Sequence, residues 1–299
     1  MSQTPSTVVT LPEANLQLLL HHIEETNRNW ERAGNVRPWF RGQADAGEPL
    51  LPSVFRAAYD EFWMTSTFRL KALAFGPTPE TNRLDQWLFL MQHYGLPTRL
   101  LDWTESPLLA AFFSVAHWLD SEKPEENYRD PHMAVWMLQP IELNKLSGFN
   151  TFPNTWTGNH HGSETFRMAF HPPEQYAALN PSTYPLAVQA SAVDRRVAVQ
   201  QSCFTIHGRD QRDLETILAD TPLAGGGYFR KFILPRAEAP RLFQELDSVG
   251  ISFSTVFPDL PGLAKQFKFR FGPKPTHKRC AGPHLEWANS CKHQDTRRI

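Results

Sequence analysis

One short run constrains this chain more than any other feature: Gln92-His93-Tyr94-Gly95-Leu96-Pro97-Thr98-Arg99-Leu100-Leu101-Asp102-Trp103-Thr104. It places a His, a Tyr, an Arg, an Asp, a Trp and two Thr in thirteen positions. A plain connection does not need polar groups of such different kinds. Ser106-Pro107 follows, then the apolar run from Leu108 to Trp118. Ser suits an N-cap and Pro the first helical position, so the polar run is expected to feed the N-terminus of a buried helix. Such an N-terminus favours anions. A loop with His, Arg and Asp at that place reads as the floor of an active site.

Local patterns on either side give the rest of the frame. Glu13 to Ala33 is predicted to be helical, with Leu16, Leu19, Leu20, Ile23 and Trp30 near helical spacing. Val36 to Gly42 reads as a strand, residues 50–75 as interrupted helix, and Asn82 to Tyr94 as an amphipathic helix closed by Gly95. Ala134–Leu138, Val197–Ile206, Tyr228–Leu234 and Ile251–Phe257 read as strands, and Ala239–Val249 as a helix. Residues 144–187, rich in Asn, Gly, His and Pro, read as a long irregular excursion of the kind that forms lids. Helices and strands interleave without a regular βαβ period. The expected class is therefore α+β: a single mixed domain over 12–271 with a split or strongly bent, mostly antiparallel sheet. Residues 1–11 are expected to be flexible. The segment 272–299 holds six Lys/Arg against two acids and reads as a basic appendage whose composition suits disorder.

Composition excludes several classes. Hydrophobic residues make up 41% of the 299 positions and charged ones 20%, enough for a packed core. The formal net charge of −1 argues against a bulk basic nucleic-acid binder, though not against a local basic groove. Three cysteines make no disulfide framework, which suits a cytoplasmic protein. The longest apolar stretch, Leu108–Leu119, is too short to span a bilayer, so no membrane partner is expected. No metal site is expected either. Asn159-His160-His161 with Glu164, and the set His277, Cys280, His284, Cys291, His293, lack trusted ligand spacings. Walker, GxGxxG and GxSxG motifs are absent.

Candidate site residues come from three places. In Trp39-Phe40-Arg41-Gly42-Gln43 an Arg lies between rings and a Gly, which lets a ligand approach the backbone while the guanidinium forks onto carboxylate or phosphate. His93 ends a helix, where it either satisfies carbonyls or serves as a base, and Asp102 either caps, pairs with Arg99 or Arg41, or catalyses. Trp103 is core or a stacking wall. In Val197–Ile206 a strand would turn Gln201, Cys203 and Thr205 one way and Gln200, Ser202 and Phe204 the other, aiming one amide at a ligand.

These residues also carry a resemblance. FRG at 40–42, LLPSVFR at 50–56, QHYGLPTRLLDWTESPLLAAFF, AVWML, VAVQQSCFTIHG and TVFPDLPGLA together resemble the FRG-domain family over about residues 12–266. That family is mainly bacterial and is named for its motif, not an activity. Here Gln201 is followed by Ser202 where a Gly is expected. A wider resemblance is to ADP-ribosyltransferases, in which an aromatic-Arg-Gly strand holds NAD. It implies NAD phosphates at Arg41 and Arg99, a ribose contact at His93 or Tyr94, and nicotinamide stacking on Trp103. It further implies charge stabilisation by Asp102 or Gln201, with Phe40, Gly42, Gln43, Thr98 and Thr104 completing the pocket. The implied protein modifies a macromolecular acceptor, nucleic acid or protein, as a toxin or phage-defence effector, with an antitoxin or other partner protein. Two alternatives stay open: an RNA-acting nuclease or phosphotransferase using His93, Arg99 and Asp102, and a non-catalytic nucleotide- or partner-binding module.

Overall fold

The computed structural model describes residues 7–30, 36–120, 128, 130–152, 161–189, 195–223 and 227–272, and the structural statements below concern these. Seven strands form one sheet: β1 (Val8–Thr10), β2 (Trp39–Gln43), β3 (Leu100–Thr104), β4 (His132–Leu138), β5 (Leu186–Gln189), β6 (Ser202–Ile206) and β7 (Phe229–Pro235). Their order is β1-β7-β4-β2-β3-β6-β5. Every neighbouring pair is antiparallel except β1 with β7. The helices are α1 (Leu16–Trp30), α2 (Glu61–Ala72), α3 (Leu84–His93), α4 (Pro107–Asp120), α5 (Pro140–Lys145), α6 (His161–Arg167), α7 (Arg195–Val199), α8 (Leu214–Ala219), α9 (Ala239–Ser248), α10 (Phe253–Val256) and α11 (Leu260–Phe271). The chain is α+β, as its unperiodic element order implies. No helix among the described residues is long and apolar enough to cross a membrane.

The expected split in the sheet falls between β2 and β3. Strand β2 pairs with β4 along its whole length, Trp39 opposite Leu138 through Gln43 opposite Ala134. Toward β3 it makes a single registered pair, Phe40 with Thr104. Strand β3 pairs fully with β6 on its other side, from Leu100–Ile206 to Thr104–Ser202. Two halves of sheet therefore meet at one residue pair, and backbone groups beyond it need other partners.

Strand alternation sets which side chains face which layer. Phe40, Val135, Met137 and Phe232 turn to one face and pack with Leu19 of α1, Phe112 of α4 and Phe243 of α9. Trp39, Trp136, Leu101 and Trp103 turn to the other and pack with Leu214 and Leu218 of α8. A third cluster joins Trp87, Phe89 and Met91 of α3 to Phe166, Phe204 and Ile206. Helix α4 is the predicted buried one, and Ser106 Oγ accepts from Leu109 N at 3.4 Å at its start. It presses so closely on β2 that a Cβ on Gly42 would lie 1.9 Å from Ala110 O and 2.5 Å from Ser114 N. Gly95, at φ +78°, ends α3 as expected.

Several expectations fail for physical reasons. The polar run is not all loop: Leu100–Thr104 is strand β3, because Leu101, Trp103 and their neighbours alternate with Asp102. Val197–Ile206 divides into α7 and β6, with Gln201 at φ +45° making the break. Ile251–Phe257 is not a strand but holds the short helix α10 (Phe253–Val256), because Ser252 and Thr255 form reciprocal capping bonds, with Ser252 N donating to Thr255 Oγ1 at 2.8 Å. Within the N-terminal stretch expected to be flexible, Val8–Thr10 instead pairs in parallel with Lys231–Ile233, and residues 1–6 lie outside the described ones. The irregular excursion holds the end of α5, α6, 3-10 turns and the start of β5, and its residues 153–160 lie outside the described ones. The basic segment 273–299, with Cys280 and Cys291, lies outside them too.

Candidate functional site

A cavity of about 560 Å³ opens where β2 and β3 part. Arg41 comes from β2, Asp102 and Thr104 from β3, Arg56 from the turn after the 3-10 segment Ser53–Phe55, and Gln200 and Ser202 from either side of the Gln201 kink. Phe113 of α4 and Phe257 after α10 supply aromatic walls.

Arg41 bridges the split. Its Nη1 donates to the backbone oxygen of Asp102 at 2.7 Å, satisfying a carbonyl that a wider β2–β3 ladder would have paired. The same nitrogen lies 3.9 Å from Asp102 Oδ2; the Arg41 side chain is 18% exposed and that of Asp102 56%. Arg41 Nε is buried and finds no hydrogen-bond partner among the described residues. Burial holds the Arg41 pKa below its ordinary value, with the Asp102 carboxylate working against that. A guanidinium has no accessible neutral form at physiological pH. The site therefore keeps a partly desolvated cation, an arrangement suited to an anionic ligand.

Around it the other charges are largely committed. Arg56 Nη1 lies 3.6 Å from Glu48 Oε2, and its Nε donates to Leu51 O at 2.9 Å. The Arg196 guanidinium stands 4.5 Å over the Phe257 ring. Asp45 accepts from Gly47 N at 2.8 Å and stands 3.9 Å from Arg236. Asp102 is aimed by a relay: Gln92 Nε2 donates to Asp102 Oδ2 at 2.8 Å, and Thr98 Oγ1 donates to Gln92 Oε1 at 2.6 Å. Thr98 N in turn donates to Ser53 Oγ at 3.2 Å.

Sequence-predicted residues divide accordingly. Arg41 and Asp102 come together at the cavity, and Phe40, Gly42, Gln43, Trp103 and Thr104 line it as well. Gly42 is nevertheless required by α4 rather than by a ligand. Gln43 is spent on structure, its Oε1 accepting from Trp136 Nε1 and its Nε2 donating to Glu48 O at 3.2 Å. Trp103 is core, not a stacking wall: its ring is buried and its Nε1 donates to Thr205 Oγ1 at 3.1 Å. Thr104 Oγ1 donates to Gln200 O at 2.8 Å.

Arg99 is not a phosphate ligand. Its fully buried guanidinium forks onto the Glu61 carboxylate, Nε to Oε1 at 2.9 Å and Nη2 to Oε2, while Nη1 donates to His207 O at 3.2 Å. Burial lowers the Arg99 pKa, but Glu61 outweighs it and leaves the pKa raised. His93 and Tyr94 are not on the cavity; their rings meet edge-to-face at 5.0 Å at the end of α3, and Tyr94 is exposed. Gln201 is exposed and its backbone oxygen accepts from Glu105 N at 3.2 Å, so its neighbours Gln200 and Ser202 take the cavity positions. Thr98 acts one step back, through Gln92. Sequence reasoning passed over Gln92 and Arg56, although both lie inside motifs it singled out.

Among the described residues no group of His, Cys, Asp and Glu could hold a metal. Residues 37–123, which span β2, α2, α3, β3 and α4, match the family model of the FRG domain. No curated protein and no solved structure matches the chain. The resemblance carried by FRG and QHYGLPTRLLDWT is thus borne out over residues 37–123, which match the FRG domain.

Proposed function

We propose that the β2–β3 cavity binds NAD and that the protein is an ADP-ribosyltransferase-like enzyme acting on a macromolecule. One observation carries the reading: Arg41, at the split of the sheet, presents a largely desolvated guanidinium, 18% exposed, to a cavity of about 560 Å³. That volume is of the size that holds a small organic ligand, for which about 300–1,000 Å³ is usual. The donor set fits a dinucleotide. Arg41 suits a phosphate, Phe113 suits a base or nicotinamide ring, and Ser202 suits a ribose hydroxyl.

NAD supplies a glycosidic bond to a good leaving group. The nicotinamide departs with the bonding pair, positive charge spreads over the ribose, and an acceptor nucleophile then bonds to the same carbon. Catalysis needs groups that bind that charge more strongly than the ground state. In this chain Asp102 has the right character: an ionisable carboxylate at the cavity, oriented by Gln92 and beside Arg41. In this reading Arg41 binds and orients, Asp102 stabilises charge, and Gln92 and Thr98 position Asp102. A bacterial toxin or phage-defence role with a nucleic-acid or protein acceptor, in the cytoplasm, agrees with such chemistry.

The test uses NAD labelled on its adenylate half, incubated with purified protein and a bacterial lysate. Transfer of label to protein, RNA or DNA by the wild type, and its loss in Arg41→Ala, supports the reading and gives the acceptor class. No label in any fraction overturns it.

A further inference from the structure

Helix α11 wears its apolar residues on the outside. Only Gly262 and Gln266 are buried in it. Those two hold it to the body: a Cβ on Gly262 would lie 2.1 Å from Phe257 O, and Gln266 Oε1 accepts from Phe253 N at 3.0 Å. Gln266 Nε2 also donates to Asp247 Oδ1 at 3.2 Å, and the Phe269 ring meets Phe243 at 4.4 Å. At about 100° per residue, Leu260, Leu263, Phe267 and Phe271 fall on the opposite side, within a stripe roughly 100° wide. Leu260 is 79% exposed and Phe271 76%. Lys268 and Arg270 flank the stripe on its two sides, and the helix has no acidic residue. Beyond it the sequence adds Lys274, Lys278 and Arg279 before the first acid, Glu286.

That charge pattern selects the occupant. A second copy of α11 would bring cations against cations. The chain's own C-terminal segment is itself cationic, with six Lys/Arg against two acids, and would bring like charge against Lys268 and Arg270. A nucleic acid would match the charge, but half of the stripe is aliphatic and cannot stack on bases. An aliphatic and aromatic stripe bordered by Lys and Arg is the pattern of a helix that lies in a lipid headgroup layer. We propose that α11 seats this protein on an anionic lipid surface. Leu260, Leu263, Phe267 and Phe271 enter the boundary between headgroups and acyl chains, and Lys268 and Arg270 meet lipid phosphates. The attachment is peripheral. It is independent of the NAD reading, since no residue of α11 lines the cavity.

The test is co-sedimentation of the full chain with large unilamellar vesicles. One set is phosphatidylcholine with phosphatidylglycerol at equal parts, the other phosphatidylcholine alone. The bound fraction is expected to be about tenfold higher on the anionic set and to fall steeply in high salt, where surface charge is screened. Phe267→Ser/Phe271→Ser and, separately, Lys268→Glu/Arg270→Glu are each expected to lose at least fivefold, with unchanged circular dichroism and melting. No pelleting with the anionic vesicles overturns the proposal and leaves an acidic protein partner as the occupant. Equal pelleting with both vesicle sets, or unchanged pelleting of the Phe267→Ser/Phe271→Ser variant, overturns it as well.

Discussion

The Arg99–Glu61 pair ties the start of β3 to the start of α2, and its removal has a calculable consequence. Arg99 has no exposed surface, and three of its hydrogen bonds go to Glu61 and to the backbone of His207. In Glu61→Gln the guanidinium stays charged, because arginine does not deprotonate in proteins. The new amide also turns a donor toward a donor. Breaking a buried pair by removing one partner costs about 3–5 kcal/mol, mostly the penalty of the stranded charge. Arg99→Met should cost less, because the remaining carboxylate sits nearer water, at 9% exposure. The double variant, with no charge left to strand, should recover much of the loss, giving a coupling energy of about 2 kcal/mol. Urea titration followed by tryptophan fluorescence measures all three, provided the slopes stay constant. A loss below about 1 kcal/mol in Glu61→Gln, or simple additivity of the two single changes, would show that Glu61 does not compensate the buried Arg99 charge. Arg99→Met should also leave nucleotide binding intact at temperatures where it is folded, since Arg99 lies off the cavity.

Gly42→Ala should destabilise by about 3 kcal/mol or prevent folding, because every atom the new Cβ meets is backbone of α4; a melting point close to wild type would contradict this. His207 is fully buried, and burial pushes its pKa down to about 4 from 6.5. The unfolded chain therefore takes up the proton first as pH falls, so stability is fully present above pH 6.5 and drops by about 3 kcal/mol on the way to pH 4. In His207→Gln that part of the pH dependence should vanish, and parallel curves for the two proteins would exclude the effect. Cys203 is buried and its thiol pKa is pushed well above the ordinary value, chiefly by burial. Iodoacetamide at pH 8 should leave it unlabelled in the native protein and modify it in urea, as read by peptide mass mapping; equal labelling in both states would refute its burial.

Local signals were the legible ones. Strand β2, helix α3 with its Gly95 stop and helix α4 follow from short-range pattern and capping chemistry. Where side-chain capping competes with β-composition, as at Ser252 and Thr255, the pattern misleads. Strand β1 left no local trace because its partner β7 lies more than 200 residues away. At the site, Arg41 and Asp102 were visible as unusual polar residues beside rings. Arg99 looked equally functional, and only the fold reveals Glu61 facing it from 38 positions upstream. Gln200 and Ser202 displaced Gln201 because a positive φ at Gln201 reverses the alternation that a continuous strand would impose.

The most direct test of the account is a calorimetric titration of purified protein with NAD, comparing wild type, Arg41→Ala and Arg99→Met. Saturable binding is expected in wild type and in Arg99→Met, with at least a tenfold weaker affinity in Arg41→Ala, in line with losing about 1.4 kcal/mol or more of charge-assisted bonding. No binding by wild type at millimolar NAD, or equal affinity in wild type and Arg41→Ala, would contradict it.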